Sequence, residues 1–335
     1  MTVAPASDGR HGSGRPHGSG RPHGSGRGTP RALRLTTVGA LVAAAAACTQ
    51  PAPRPAPART PGQGDGGSVE RLVDVVISVQ DRAPASTGPT DPARARAIAE
   101  ATAQLPQVAA RPGPSSLASP PGVPEGYAVT GLRLDGKDQQ VDALVPQGTP
   151  TTGDGLYVAR PEQGSRPVTI EVPHPRSDAW TDQIGADVYA RSTARYLLMA
   201  GADRGAGDDA DVAHAPDAAF AGTDMLLVRK DWVVVQIHGF TRRRHPGYPD
   251  AVVSSGTATP GATATRVARE LESQGISTCV YDGTTCADLA ARTNVQGQHA
   301  RAVGADFVHV ELERSVRADP ALRSRAAQAI ATGLG

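Results

Sequence analysis

The sequence predicts an α/β fold, three layers αβα around a mixed, largely parallel central sheet. Strand-like runs alternate with helix-like stretches from about residue 125 onward, the pattern of βαβ units. The runs Val168–Val172 and Trp232–Ile237 are apolar without alternation, as central strands covered on both faces are. A histidine stands at or just past the end of each, His174 and His238, where the ligand sites of open α/β sheets lie.

Strand signals become frequent only after the first 124 residues. Residues 1–34 hold a near-perfect His-Gly-Ser-Gly-Arg-Pro repeat and a basic stretch with Arg31 and Arg34. The repeat has no apolar side chain to bury, so it is expected to be a disordered basic tail. Residues 35–48 run from an apolar segment too short to span a bilayer into Ala45-Ala46-Ala47-Cys48. Charge, apolar stretch and small-residue end are the layout of a secretory signal peptide. With Cys directly after the small residues, the segment resembles a bacterial lipoprotein signal, which implies lipidation at Cys48. Plain cleavage leaving a free Cys48 is the alternative. The expectation is an exported protein held at a membrane by an N-terminal lipid anchor, or else secreted. Residues 49–67 are Pro-rich and read as an extended tether. Residues 68–124 read as partly helical, with pieces at Val69–Val76 and Pro92–Ala99, followed by a Pro/Ser-rich linker.

Within 125–335 the strands are predicted at Tyr127–Leu134, Gln140–Val145, Leu156–Ala159, Val168–Val172, Tyr196–Ala200, Trp232–Ile237, Ala251–Ser254, Thr278–Tyr281 and Phe307–Leu312. Helices are predicted at Asp182–Arg195 with Thr181 as N-cap, at Thr265–Gln274 stopped by Gly275, and at Ala321–Leu334. Gly256 and Gly261, with Thr257 and Thr259, read as a mobile loop near the site. Cys279 and Cys286 flank an Asp-Gly turn, and in an exported chain the pair is expected to form a disulfide.

Two His and one carboxylate make a ligand set suited to a catalytic zinc, Zn2+, with a fourth position open. His174, Asp178 four residues later, and His238 are the candidate metal ligands. Glu311 lies in the apolar run Phe307–Leu312, where a carboxylate is costly unless paired or used, and is the candidate general base. Glu313 reads as a surface partner of Arg314 or Arg317. Arg204 follows another strand end, where it would hold a substrate carboxylate or pair with Asp203. His214 is open between third ligand, proton relay and substrate contact. The formal net charge of +1 speaks against a nucleic-acid partner. Walker and dinucleotide glycine patterns are missing from useful positions. Val253-Ser254-Ser255-Gly256 lacks a full nucleophile elbow.

Val-Pro-His-Pro, Ala-Asp-Val-Ala-His, Val-Gln-Ile-His-Gly-Phe and Phe-Val-His-Val-Glu-Leu-Glu-Arg follow one another in this chain. In that order they resemble the N-formylglutamate amidohydrolases and the phage-type poly-γ-glutamate hydrolases, which are similar in fold to zinc carboxypeptidases. The resemblance covers roughly residues 155–334. It implies zinc on His174, Asp178 and His238, Glu311 as base, and Arg314 as the arginine that follows the base. The chain departs from the amidohydrolase pattern at Ala213-His214, where an Asn-Arg pair is usual, and at Gln236, where Asp is usual. Those departures bear on substrate more than on zinc, and an N-formylglutamate substrate sits badly with an exported, anchored chain. The expected activity is exported, zinc-dependent cleavage of an amide bond in a small carboxylate-bearing acyl-amino acid or peptide. The alternative is a non-catalytic envelope lipoprotein with a ligand-binding α/β domain.

Overall fold

The computed structural model describes residues 69–109, 122–137, 139–148 and 153–335. The repeat, the signal-like segment with Cys48, the Pro-rich tether and most of the linker lie outside the described residues.

A nine-stranded sheet runs in the order β1-β2-β3-β5-β4-β6-β9-β7-β8. Its strands are β1 Tyr127–Arg133, β2 Gln140–Pro146, β3 Leu156–Ala159, β4 Arg166–Val172, β5 Ala194–Met199, β6 Val233–Phe240, β7 Ala251–Ser254, β8 Thr278–Val280 and β9 Asp306–Glu313. The four central strands β5, β4, β6 and β9 are parallel to one another. On one side β3, β2 and β1 continue antiparallel; on the other β7 pairs antiparallel with β9 and parallel with β8. The fold is therefore the predicted mixed α/β sheet with a parallel centre.

Helices cover both faces. On one face α1 Leu72–Asp81, α3 Thr181–Arg191, α5 Ala262–Ser273 and α8 Pro320–Gly333 pack on Val168, Ile170, Val172, Val235, Ile237, Val308, Val310 and Leu312. On the other, α2 Pro92–Ala109, α4 Ala219–Leu227 and α6 Val295–Val303 cover Leu144, Tyr157, Leu198, Val234 and Phe307. Thus α1 and α2, from the partly helical stretch, bury side chains in the same cores as the strands. Among the described residues no helix is long and apolar enough to cross a membrane.

Helix ends follow local chemistry. Asp319 caps α8 by accepting from Ala321 N and Leu322 N (2.8 and 2.9 Å), and Pro320 starts it. Gly275, at φ +75°, ends α5 as expected, with Ile276 N–H reaching back to the Leu271 carbonyl (3.1 Å). Thr181 is not a cap. The residue before α3 is Trp180 in a left-handed conformation, and Thr181 is the first helical residue with its hydroxyl unpaired. Helices α4, α6 and the short α7 Arg314–Ala318 were not predicted. The glycine loop after β7 also lies elsewhere than expected. Because β7 is antiparallel to β9, the loop leaves at the end away from His238, and Gly261 packs beside Asp306 at the start of β9.

Cys279 and Cys286 are bridged. Closing this short loop is worth about 2 kcal/mol by chain entropy. The Cys279→Ser/Cys286→Ser variant should lose about that much in urea unfolding. Thiol alkylation of the unreduced wild type should leave both cysteines unmodified.

Candidate metal centre at the sheet edge

The site begins with strand register. On β4, β6 and β9 the side chains facing the α2/α4/α6 layer become polar toward the carboxyl end. Glu171 lies opposite Gln236, Gln236 opposite His309, and His238 opposite Glu311. All are buried.

His174 stands just beyond β4. Its carbonyl accepts the Asp178 N–H (2.8 Å), closing one helical turn. Residues four apart then share a face, so Asp178 returns toward His174. His174 Nδ1 lies 3.1 Å from His238 Nδ1 and 3.7 Å from Asp178 Oδ2, and His238 Nδ1 lies 3.4 Å from Asp178 Oδ2. Donors bound tetrahedrally at zinc distances are about 3.3 Å apart. The three atoms therefore already form one face of such a tetrahedron.

The outer ring nitrogens of both histidines face acceptors, which turns both Nδ1 atoms into the triangle. His174 Nε2 lies 2.8 Å from Asp211 Oδ1, and that bond is the main reason Asp211 is held well below the usual carboxylate range. An ionised carboxylate only accepts, so Nε2 carries the proton. His238 Nε2 faces Gln236 Oε1 at 3.0 Å, again an acceptor. Burial and neighbouring His174 lower the His238 pKa to about 4, so its ring is neutral. Two ring nitrogens held 3.1 Å apart and turned toward one carboxylate form a compact donor set. The donor set thus fits a divalent metal.

Asp178 completes the triangle as an anion. Burial alone would raise its pKa, but His174, His238 and the Arg204 charge outweigh burial and hold it well below the usual range. Arg204 Nη2 donates to Oδ1 (2.9 Å) and the Gly239 N–H to Oδ2 (3.1 Å).

Glu311 and His309 stand beside this triangle. Glu311 Oε2 and His309 Nδ1 are buried without hydrogen-bond partners, and Glu311 Oε1 lies 3.7 Å from His309 Nε2. Burial, then the Asp178 charge, pushes the Glu311 pKa well above its usual range; burial lowers that of His309. His238, His309 and Glu311 form a second cluster of metal-ligand type. His238 has one free lone pair, on Nδ1, so it serves the first triangle and not both.

The other predicted residues sit around this centre. Arg204 is half-exposed on Asp178, with no ion pair to Asp203. Asp203 accepts instead from Ser177 Oγ and Gly205 N. Arg314 is exposed and stacked over Trp180, 5.4 Å from its ring centre, outside the donor triangle. His214 is not a third ligand: its ring nitrogens face Asp211 Oδ1 and Thr293 Oγ1, each at 3.3 Å. Glu313 pairs with neither Arg314 nor Arg317. It caps α7 through Ser315 N and Oγ and lies 3.8 Å from Arg242.

Sequence reasoning missed Asp211, Gln236, Asn294, Gln296, His309 and Arg317. Gln236 inside an apolar run was the available signal, since a buried amide needs partners. Arg317 is buried, and its guanidinium donates to the carbonyls of Leu312, Ala179 and Phe240 (2.9, 2.6 and 3.1 Å). It ties together the ends of β9 and β6 and the loop carrying Asp178. Gly239 leaves room for it, because a Cβ there would lie 2.3 Å from Arg317 Cζ.

No protein-family model and no curated protein matches the chain. Solved structures with distant likeness include a bacteriophage poly-gamma-glutamate hydrolase (14% identity, TM-score 0.37, covering 55% of this chain and 90% of that chain). A metallo-carboxypeptidase from Burkholderia cenocepacia is another (12%, TM-score 0.37, 73% and 69%). A third is an N-acetylmuramyl-L-alanine amidase from Mycobacterium smegmatis (16%, TM-score 0.30, 51% and 96%).

Gly239→Ala should displace the Arg317 guanidinium and strand its carbonyl partners. A loss of about 2–4 kcal/mol in thermal or urea unfolding is expected. A change below about 0.5 kcal/mol would show that Arg317 does not close this edge.

Proposed function

We propose that this chain is a zinc-dependent hydrolase of amide bonds, exported and anchored through Cys48. The observation that carries the reading is the buried triangle of His174, His238 and Asp178 beside an unpartnered Glu311. Nitrogen and carboxylate donors at a tetrahedral face suit zinc, and three protein ligands leave a position open. Zinc bound there would supply Lewis acidity, polarising the scissile carbonyl and acidifying water.

The chain's own residues do the rest. Asp211 and Gln236 hold the two imidazoles with their Nδ1 atoms inward. Arg204 holds Asp178. Glu311 takes a proton from water as its oxygen adds to the carbonyl carbon. It then delivers that proton to the nitrogen as the C–N bond breaks. A nearby dication favours the ionised form of Glu311 that the first step needs, against the effect of burial.

The substrate we propose is an acyl-amino acid or short peptide bearing a free carboxylate. Arg204, half-exposed on Asp178, and Arg314, exposed over Trp180, are the arginines suited to receive that carboxylate. The bridged cysteines support an oxidising compartment.

Purified protein dialysed against trace zinc should hold about one equivalent by elemental analysis, and His238→Ala should hold much less. Wild type without zinc after such loading would end the enzyme reading. Glu311→Gln should keep the metal and lose hydrolysis of N-acyl amino acids, γ-glutamyl chains or wall peptides by about 100-fold or more. Equal activity in that variant would remove Glu311 from the mechanism.

A further inference from the structure

Behind His238 lies a row of buried amides that the mechanism above uses only at its last member. Gln296, Gln236 and Asn294 are at most 5% exposed, so water does not compete for their hydrogen bonds. The row can be read from its far end. Gln296 Nε2 lies 2.8 Å from the Val212 carbonyl, which only accepts. The Gln296 amide is thereby oriented, and its Oε1 faces Gln236 Nε2 at 3.1 Å. The second hydrogen of that nitrogen goes to Glu171 Oε2 at 3.0 Å. Gln236 Oε1 must then point the other way, where it meets Asn294 Nδ2 and His238 Nε2. An amide oxygen only accepts, so His238 carries its proton on Nε2.

We propose that Gln296 and Gln236 form a buried amide relay, started by the Val212 carbonyl, that fixes His238 as its Nε2–H tautomer and so presents Nδ1 to the metal. Gln296 and Gln236 are positioning residues, and the value of the relay to the site rests on the metal reading above. The group that meets the His238 ring is a neutral amide oxygen, and Glu171, whose pKa burial and neighbouring Asp224 push well above its usual range, lies on the far side of the Gln236 amide. His174 differs, because its outer partner is the anion Asp211. An anionic partner raises the basicity of a ligating imidazole and a neutral one does so less. His238 is therefore the weaker and His174 the stronger nitrogen donor.

The test uses the tautomer of His238, which a purely structural role for the relay would leave unchanged. In metal-free protein with 15N-labelled histidine, long-range proton–nitrogen spectra at neutral pH should show His238 as Nε2–H. In Gln236→Leu that signal should become a mixture of tautomers, and zinc affinity by chelator competition should fall by about 10- to 100-fold. Gln236→Glu, which restores an acceptor, should return the Nε2–H form. Gln296→Leu should give a partial mixture with the first partner still in place, and it carries the test if Gln236→Leu does not fold. An unchanged Nε2–H signal in folded Gln236→Leu or Gln296→Leu would overturn the relay. Wild type that shows the tautomer pattern yet binds no zinc would overturn the metal reading and leave the relay standing.

Discussion

Two buried imidazoles face each other nitrogen to nitrogen across 3.1 Å. Both outer nitrogens are committed as donors, one to Asp211 and one to Gln236, so neither ring can turn its Nδ1 away without losing a buried hydrogen bond. An unmade hydrogen bond in such a place costs roughly 1–3 kcal/mol. The rest of the edge can be understood as what maintains this close pair. Parallel pairing of β4, β6 and β9 delivers the side chains to one level. The single turn from His174 to Asp178 adds an anion, and Arg204 and the Gly239 amide hold that anion.

Loops placed at a sheet edge need something to fix them, and here that is one buried cation. Arg317 reaches the carbonyls ending β9 and β6 and the one following Asp178, so three chain segments share a single guanidinium. Its planar array of donors suits several carbonyls at once in a way that an ammonium does not. The absence of a side chain at Gly239 is what makes the approach possible. The glycine after His238 is thus a packing requirement as well as a strand-end signal. Seen from the opposite side, Gln80 donates to the Ala200 carbonyl and Thr87 N–H to that of Ala206, so the segment around α1 steadies the loop that carries Arg204.

Much of the scaffold was legible because burial imposes simple patterns. All nine strands were placed within a few residues, since each is a short run of β-branched or apolar residues bounded by turn formers. Helices α4 and α6 escaped for the converse reason. The α4 sequence Ala-Phe-Ala-Gly-Thr-Asp-Met-Leu-Leu has no clean polar face, and neither helix has a capping side chain at its start. At the site, His174 and His238 could be read from strand ends, and Asp178 from a spacing that only the i to i+4 turn makes meaningful. Asp211 and Gln296 could not be read, because they reach the imidazoles through contacts 37 and 60 residues apart in the chain. His309 was visible, two residues before Glu311, but its closeness to His238 depends on the register of β6 with β9.

The energetics of Glu311 bind the two halves of the site together. Glu311 has a buried, unpartnered oxygen, and burial, then the Asp178 charge, pushes its pKa well above the usual range. Arg204 and Arg317 oppose that effect without overcoming it. A fold that needed only stability would favour an apolar side chain opposite His238, and would not leave His309 Nδ1 unpaired on the same face. The arrangement becomes consistent when a dication occupies the donor triangle. The two facing nitrogens then share a partner, Asp178 is neutralised, and Glu311 gains a nearby positive charge that allows it to ionise. The same occupancy relieves three separate costs, which is why the triangle and Glu311 are best understood as one device.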